Sequence, residues 1–373
     1  MELSVIILNY KVPAHLLLCV DSVSKAIENL DAEIIVADNH SQDESLSLLA
    51  NYFPEVKQIP IQENLGFSKG NNRAIQEAKG KYICLLNPDT VVAENTFEQA
   101  LAYAKTKTKF GALGVQLIDG KGNFLPESKR NVPTPNVAVK KLLGSGKIYY
   151  ANHLNQNDID EVSILVGAFM LMQKDRYNKV GGLDEDYFMY GEDIDLSYQF
   201  LKNGYQNYYL GSISCLHFKG ESTVKDINFR KRFFGAMQLF YKKHFITNLV
   251  MLYIVNFGLK IAQFFKVGVS TQKQNKIEPE HYFLISDHKK LHKNLNQIVD
   301  FKLIAKEDLF QLKNESAMLV FDAAYMSYTN IIQQLKKLSA SQYNFRIIPR
   351  THNLFLGSDG SRQQAEVKYF KVN

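Results

Sequence analysis

The chain has 373 residues, 46% of them hydrophobic, which is enough for one large core or two smaller ones, and two domains is the better expectation. Its three cysteines, Cys19, Cys84 and Cys215, are odd in number and lack metal-like spacing, which excludes a disulfide framework or a zinc site and suits a reducing cytoplasm. The formal charge of +6, with basic residues gathered at Arg230-Lys231-Arg232 and Lys242-Lys243, suggests an anionic surface or substrate and argues against a dedicated nucleic-acid duplex binder.

No basic-then-apolar leader precedes the first apolar run, so the expectation is a protein that folds from its first residues and stays inside the cell. To about residue 120, the runs SVIIL, EIIVAD, KQIPI, YICLL and GALGVQL alternate with helical stretches, the pattern of a mostly parallel sheet with covering helices. Between the first two runs, Leu16, Val20, Val23, Ile27 and Leu30 recur at spacings of four and three and make one apolar helix face. From Asp119 to about Asp160 the chain is rich in Gly, Pro, Asn and Lys and reads as a long mobile loop or lid. A strand from Ser163 to Met172 follows. Beyond it, Ile194, Leu196, Phe200 and Leu201 predict a helix that Gly204 is placed to stop. A basic, aromatic helix from about Asp226 runs into the apolar stretch Phe245 to Phe265. The polar linker TQKQNKIEPE then leads to a smaller α/β unit with strands near HYFLIS, AMLVFD and NFRIIP. The expected division is a catalytic domain over 1–240, an amphipathic or membrane-associated helix over 241–268, a linker over 269–280 and a small α/β domain over 281–373.

The strand YICLL ends in Asn87-Pro88-Asp89-Thr90, setting a carboxylate at the carboxyl end of a buried strand, where open α/β sheets bind ligands. Pro88 fixes the turn, so Asp89 is a candidate to bind a divalent cation, Mn2+ or Mg2+, bridging a diphosphate. Taken alone, the same residues are equally a turn and helix cap. Asn9-Tyr10 and Asp38-Asn39-His40-Ser41 follow the first two strands, where short polar groups can hold a nucleobase and ribose, or simply turn the chain. The loop from Glu63 to Asn72 contains Asn64, Gly66, Phe67 and Asn71 and opens a helix whose amides favour phosphate. It lacks both P-loop spacing and the dinucleotide fingerprint, which counts against a nicotinamide oxidoreductase.

Gly191-Glu192-Asp193-Ile194-Asp195 places three carboxylates at a helix start. The helix dipole alone stabilises such charge. Beside Tyr187, Phe188 and Tyr190, however, the acids form a pocket in which Asp193 is the candidate general base and Glu192 its neighbour. His217 either packs as a structural histidine or completes a metal site with Asp89, and Lys219 is placed to offset diphosphate charge.

In this order, the groups resemble family-2 glycosyltransferases with the A-type fold, in particular the rhamnosyltransferase-like branch of bacterial polysaccharide assembly. The resemblance covers roughly residues 1 to 240. ILNYK resembles the family's nucleotide-contacting first loop, and VADNHSQD its base-holding aspartate at Asp38. Asn64 to Asn72 is similar to the NxGFxxGNN loop, NPDT to the metal motif at Asp89, GEDIDL to the acid pair that supplies the base at Asp193, and HFKGES to the HxxGxS segment at His217. One departure is Asn87, which stands where a fuller metal motif has a first aspartate; it keeps the capacity to bond ribose or a metal-bound water.

The resemblance implies a Rossmann-like, mostly parallel mixed sheet and an inverting, metal-dependent transfer from a nucleotide-sugar donor, dTDP-rhamnose or a UDP-sugar, to a glycan or lipid-linked acceptor. A non-catalytic nucleotide-sugar or glycan binding module is the alternative, and a homo-oligomer is compatible with either. Within Phe245 to Phe265 and just beyond, Asn248, Asn256, Lys260, Gln263 and Lys266 fall within an arc of roughly 120° on a helical wheel. Such a narrow polar stripe suits a helix lying in a membrane interface, with Arg230, Lys231, Arg232, Lys242 and Lys243 facing anionic lipid at the inner face of the plasma membrane. It equally suits a helix buried against protein.

Overall fold

The computed structural model describes residues 1–135, 137, 149–221, 227–245, 278–312, 316–351, 353–361 and 363–371, with the backbone alone at 227–230. The first apolar run forms β1 (Leu3–Asn9), buried along its whole length, as a central strand covered on both faces must be. Helix α1 (Pro13–Ala26) starts with proline in its first turn, where no amide is needed, and buries Leu16, Val20 and Val23. In chain order follow β2 (Ala32–Asp38), α2 (Ser45–Tyr52), β3 (Lys57–Pro60), α3 (Gly66–Gln76), β4 (Tyr82–Leu86), β5 (Thr90–Val92), α4 (Thr96–Lys105) and β6 (Phe110–Ile118). Next come β7 (Ile159–Val162), β8 (Phe169–Gln173), α5 (Lys174–Lys179), α6 (Glu192–Lys202), β9 (Gln206–His217) and α7 (Ile227–His244).

These strands make one mixed sheet in the order β3-β2-β1-β4-β8-β6-β9-β5, with β7 beside β9. The four strands β3, β2, β1 and β4 run parallel, while β8 is antiparallel to its neighbours β4 and β6. The order reverses at β1, between β2 and β4, so the carboxyl ends of these three strands open the crevice in which such sheets bind ligands. One apolar layer, including Val5, Leu16, Cys84 and Phe97, fills one face, and a second, including Ile6, Ile35, Leu85 and Met170, the other.

The remaining elements are β10 (His281–Ile285), α8 (Lys289–Leu295), β11 (Lys302–Ile304), β12 (Ala317–Asp322), α9 (Tyr328–Lys337), β13 (Tyr343–Ile348), β14 (Leu354–Gly357) and β15 (Glu366–Tyr369). They form a second sheet, β11-β10-β12-β13-β14-β15, whose first four strands are parallel. The two units share an apolar cluster in which Leu18, Val91 and Phe218 of the first meet Phe321, Ile331 and Leu354 of the second. Asp21, fully buried in α1, accepts from Arg350 Nη2 at 2.7 Å and from the Tyr328 hydroxyl. Glu94 accepts from the amides of Tyr328 at 2.6 Å and Thr329 at 2.8 Å, so a carboxylate of one unit satisfies the first donors of a helix in the other.

Two expectations change. The strand expected over Ser163 to Met172 begins only at Phe169, as β8, and residues 163–168 before it form a turn segment that follows β7. The stretch expected as a mobile loop is anchored in its described parts: Lys129 is buried and donates to Ala151 O at 2.8 Å and Leu154 O at 2.7 Å, while Arg130 bridges to Tyr150 and Ile164. Residues 246–277, which hold most of the apolar stretch, lie outside the described residues. No described helix is long and apolar enough to cross a membrane.

Candidate active site

At the crevice, Asn9 and Asp38 are opposite each other in the β1–β2 ladder, which brings their side chains together. Asn9 Nδ2 donates to Asp38 Oδ1 at 2.7 Å and approaches Ser41 Oγ at 3.1 Å, and the Ser41 amide donates to Asp38 Oδ2 at 2.9 Å. Tyr10 is half-buried, with the Lys11 ammonium 5.3 Å from its ring centroid. Asn39 Nδ2 donates to Asn64 Oδ1 at 2.9 Å, joining the second strand end to the Gly- and Asn-rich loop.

That loop corrects one expectation. Three amides at the start of α3 are already engaged: Leu65 N donates to Asn39 Oδ1 (2.9 Å), Gly66 N to Asn64 Oδ1 (3.0 Å) and Phe67 N to Phe188 O (2.6 Å). Gly66 is required for another reason. Its φ is +78°, and a Cβ there would lie 2.4 Å from Phe188 O. Buried Asn71 donates to Phe67 O at 2.9 Å and so holds the loop in shape.

The Asp89 end of the crevice is set by sheet pairing. Strands β5 and β9 are antiparallel with Thr90 opposite His217, and Phe218 N donates to Asp89 O at 3.0 Å. Asp89 and His217 therefore emerge side by side, with His217 Nε2 3.3 Å from Asp89 Oδ1 and 3.5 Å from Asn87 Nδ2. Burial raises the Asp89 carboxyl, but the His217 and His15 imidazoles outweigh it and hold the group below its usual range. Two donors at this spacing fit adjacent positions around a divalent cation that holds each at roughly 2.1 Å. Among the described residues no three His, Cys, Asp or Glu side chains converge on one point. The chain thus offers a carboxylate and an imidazole, and the imidazole makes the pair a better match to Mn2+ than to the all-oxygen preference of Mg2+. Lys219 is turned to Glu127, which occupies its ammonium in place of a diphosphate.

Two titratable residues that sequence reasoning did not single out border this end. His15 of α1 is buried, packs edge-on to Phe218 at 5.4 Å, and lies with Nε2 3.7 Å from Glu221 Oε2. Burial lowers His15 to about 4, against the pull of Asp89, and raises Glu221 to about 7, so the contact is not an ion pair at neutral pH. Glu221 Oε1 accepts from Ala365 N of the second unit at 2.8 Å.

At the other wall, Gly191 enters α6 with φ +84°, and no side chain caps the helix. The Asp193 carboxylate bridges the first turn of the helix and the segment opposite it. Its Oδ2 accepts from Arg130 Nη2 at 2.7 Å and Gly167 N at 3.2 Å, and its Oδ1 from Ile194 N at 2.8 Å. A Cβ on Gly167 would lie 3.5 Å from both Asp193 Cβ and the tip of the Phe67 ring, so the acid and the crevice loop meet at this glycine. Glu192 is buried with Oε2 unpartnered; burial first and the Asp193 charge second push its carboxyl up. Asp195 faces inward, accepting from His244 at 2.6 Å and Tyr187 Oη at 3.3 Å, which ties α6 to α7. Neither Arg130 nor Gly167 carries a motif, and only the fold brings them to Asp193.

The sheet and its crevice are those of the A-type glycosyltransferase fold. Residues 4–181, just under half of the chain, match the model of glycosyl transferase family 2, and the proteins the chain is similar to include named rhamnosyltransferases. The match ends before Glu192 and His217. The chain is 28% identical over 242 residues to N-acetylglucosaminyl-diphospho-decaprenol L-rhamnosyltransferase of Mycobacterium tuberculosis, spanning 60% of this chain and 78% of that protein. It is 27% identical over 211 residues to rhamnosyltransferase WbbL of Escherichia coli, spanning 53% and 79%. Among solved structures, a mannosyltransferase from Pyrobaculum calidifontis in complex with GDP-Man and Mn2+ aligns over 70% of each chain at 17% identity, with a TM-score of 0.47.

Proposed function

We propose that the enzyme transfers a sugar, with inversion, from a nucleoside-diphosphate sugar to a lipid-linked saccharide or glycan in cell-surface polysaccharide synthesis. The observation that carries this reading is the pairing of Asp89 with His217 at 3.3 Å beside the crevice that Asn9, Asp38 and Asn39 line. The mycobacterial and Escherichia coli relatives, both named rhamnosyltransferases, favour dTDP-rhamnose as donor over a UDP-sugar, and the mycobacterial name favours a lipid-diphosphate acceptor.

Asp38, Asn9 and Asn39 hold the nucleoside, and Asn87 faces the ribose or diphosphate. Asp89 and His217 would hold the divalent cation, whose charge when bound stabilises the departing nucleoside diphosphate. Asp193 takes the proton from the acceptor hydroxyl as that oxygen bonds to the anomeric carbon and the bond from this carbon to the diphosphate breaks. Intact Asp89, Asp193 and His217 favour this over a non-catalytic binding module.

On α7, Lys231, Arg232, Phe233 and Lys242 are exposed. This supports a peripheral contact with anionic lipid, hence a place at the inner face of the plasma membrane. Lys243 is already paired with Asp184 and Asp186 and adds little to that face.

The test is transfer from dTDP-rhamnose and a panel of UDP-sugars to a short-chain N-acetylglucosaminyl-diphospho-lipid, with and without Mn2+. Asp193→Asn should lower turnover by about 10² to 10⁴ with donor affinity within a few-fold. Transfer that survives this substitution removes Asp193 as base, and transfer indifferent both to chelation and to Asp89→Ala removes the cation.

A further inference from the structure

We propose that Arg130 is a positioning residue for the reaction: it locks the Asp193 carboxylate so that, among the described residues, one oxygen lone pair, on Oδ1, is left for the acceptor hydroxyl. This rests on the reading of Asp193 as the base.

A carboxylate offers about four acceptor sites, two on each oxygen. Oδ2 has two donors, Arg130 Nη2 at 2.7 Å and Gly167 N at 3.2 Å. Oδ1 has one, Ile194 N at 2.8 Å. With Oδ2 filled, rotation of the carboxyl about its bond to Cβ would break both of its hydrogen bonds, so the carboxylate is held in one orientation. Proton abstraction is sensitive to such placement, because the base must stand within hydrogen-bond reach of the proton it takes.

Arg130 is suited to this task by where it is rooted. Its backbone bridges Tyr150 on one side and Ile164 on the other, so the residue is held on two sides before its side chain reaches Asp193. The guanidinium is buried and its Nη2 also donates to Leu165 O, two residues before Gly167. One cation thus fixes the acid and the turn that supplies the acid's second donor. A guanidinium presents its donors in a rigid plane, whereas an ammonium on a flexible stem holds two acceptors less firmly. Arg130 touches no reacting atom; it acts through Asp193. The pair is also a buried ion pair, and such pairs can serve stability alone, so the experiment must separate the two roles.

Arg130→Met and Arg130→Lys are assayed for kcat and donor KM, with melting temperature measured alongside, using whichever nucleotide sugar transfers to the lipid-diphosphate acceptor. The expected result for Arg130→Met is a fall in kcat of about 10²-fold with donor KM within threefold, and for Arg130→Lys a smaller fall, also at unchanged KM. Wild-type kcat in either variant overturns the proposal, as does a loss of kcat that merely follows a raised KM and lowered melting temperature. If Arg130→Met does not fold, Arg130→Lys decides by the same criteria. Asp193→Asn run in parallel keeps the failures apart: transfer that survives it refutes the base itself, whereas an inactive Asp193→Asn beside a fully active Arg130→Met refutes only the positioning role.

Discussion

Glu192 and Asp193 are neighbours on one helix turn in opposite circumstances. Asp193 is met by three donors, while Glu192 is buried with Oε2 bare and its carboxyl pushed up by burial and by Asp193. A carboxyl raised in the folded state keeps its proton to higher pH than in the unfolded chain. Its contribution to stability is complete below the ordinary value of 4.5 and is lost as the pH rises through neutrality. Glu192→Gln, which carries no such proton, should therefore gain stability relative to the wild type from about pH 5 to about pH 8, by at most about 1.4 kcal/mol per pH unit. Urea unfolding at several pH values checks this, and a constant difference would show Glu192 ionised throughout. At this scale the acids and His217 were legible because each lies within a short recognisable stretch. Their neighbours Arg130, Gly167 and His15 were not, because each comes from a separate part of the chain and is chemically unremarkable in its own sequence; Glu221 lies within the His217 stretch, but its approach to His15 shows only in the fold.

Apolar runs foretold β1, β2 and β4 because strands covered on both faces must be apolar at nearly every position. The three-residue β5 was hidden for the opposite reason: Thr90–Val92 is too short to show a period, and its pairing with β9 cannot be read locally. Gly204, with φ +77°, ends the helical stretch as expected, two residues after α6 closes at Lys202. Helix α7 buries Ala236, Met237, Phe240 and Tyr241 against α6 and its approach, leaving Lys231, Arg232, Phe233 and Lys242 outside. Flotation with liposomes containing anionic lipid should retain the protein at low salt and release it as salt screens the charges. Lys231→Glu with Lys242→Glu should weaken that retention. Equal retention on neutral and anionic liposomes would refute the electrostatic contact.

The two sheets are joined by a common apolar cluster and by a buried ion pair, although a polar linker separates them in sequence. Linker composition reports how the chain travels between units, not how the units pack once it has arrived. Asp21 is fully buried and Arg350 partly exposed, so Arg350→Met leaves a buried carboxylate without its cation and should cost about 3 kcal/mol. Because the cluster is shared, both units should melt in one transition that moves down as a whole. Two resolved transitions, with only the later one unaffected, would show that the units are held separately.

The bond from Ala365 N to Glu221 spans 144 positions of sequence and ends four residues beyond His217. A hybrid enzyme made by exchanging the carboxy-terminal unit with that of a relative would therefore inherit a mismatched seam beside its own His217. Swaps should be drawn to carry α1, the His217 segment and the last two strands together.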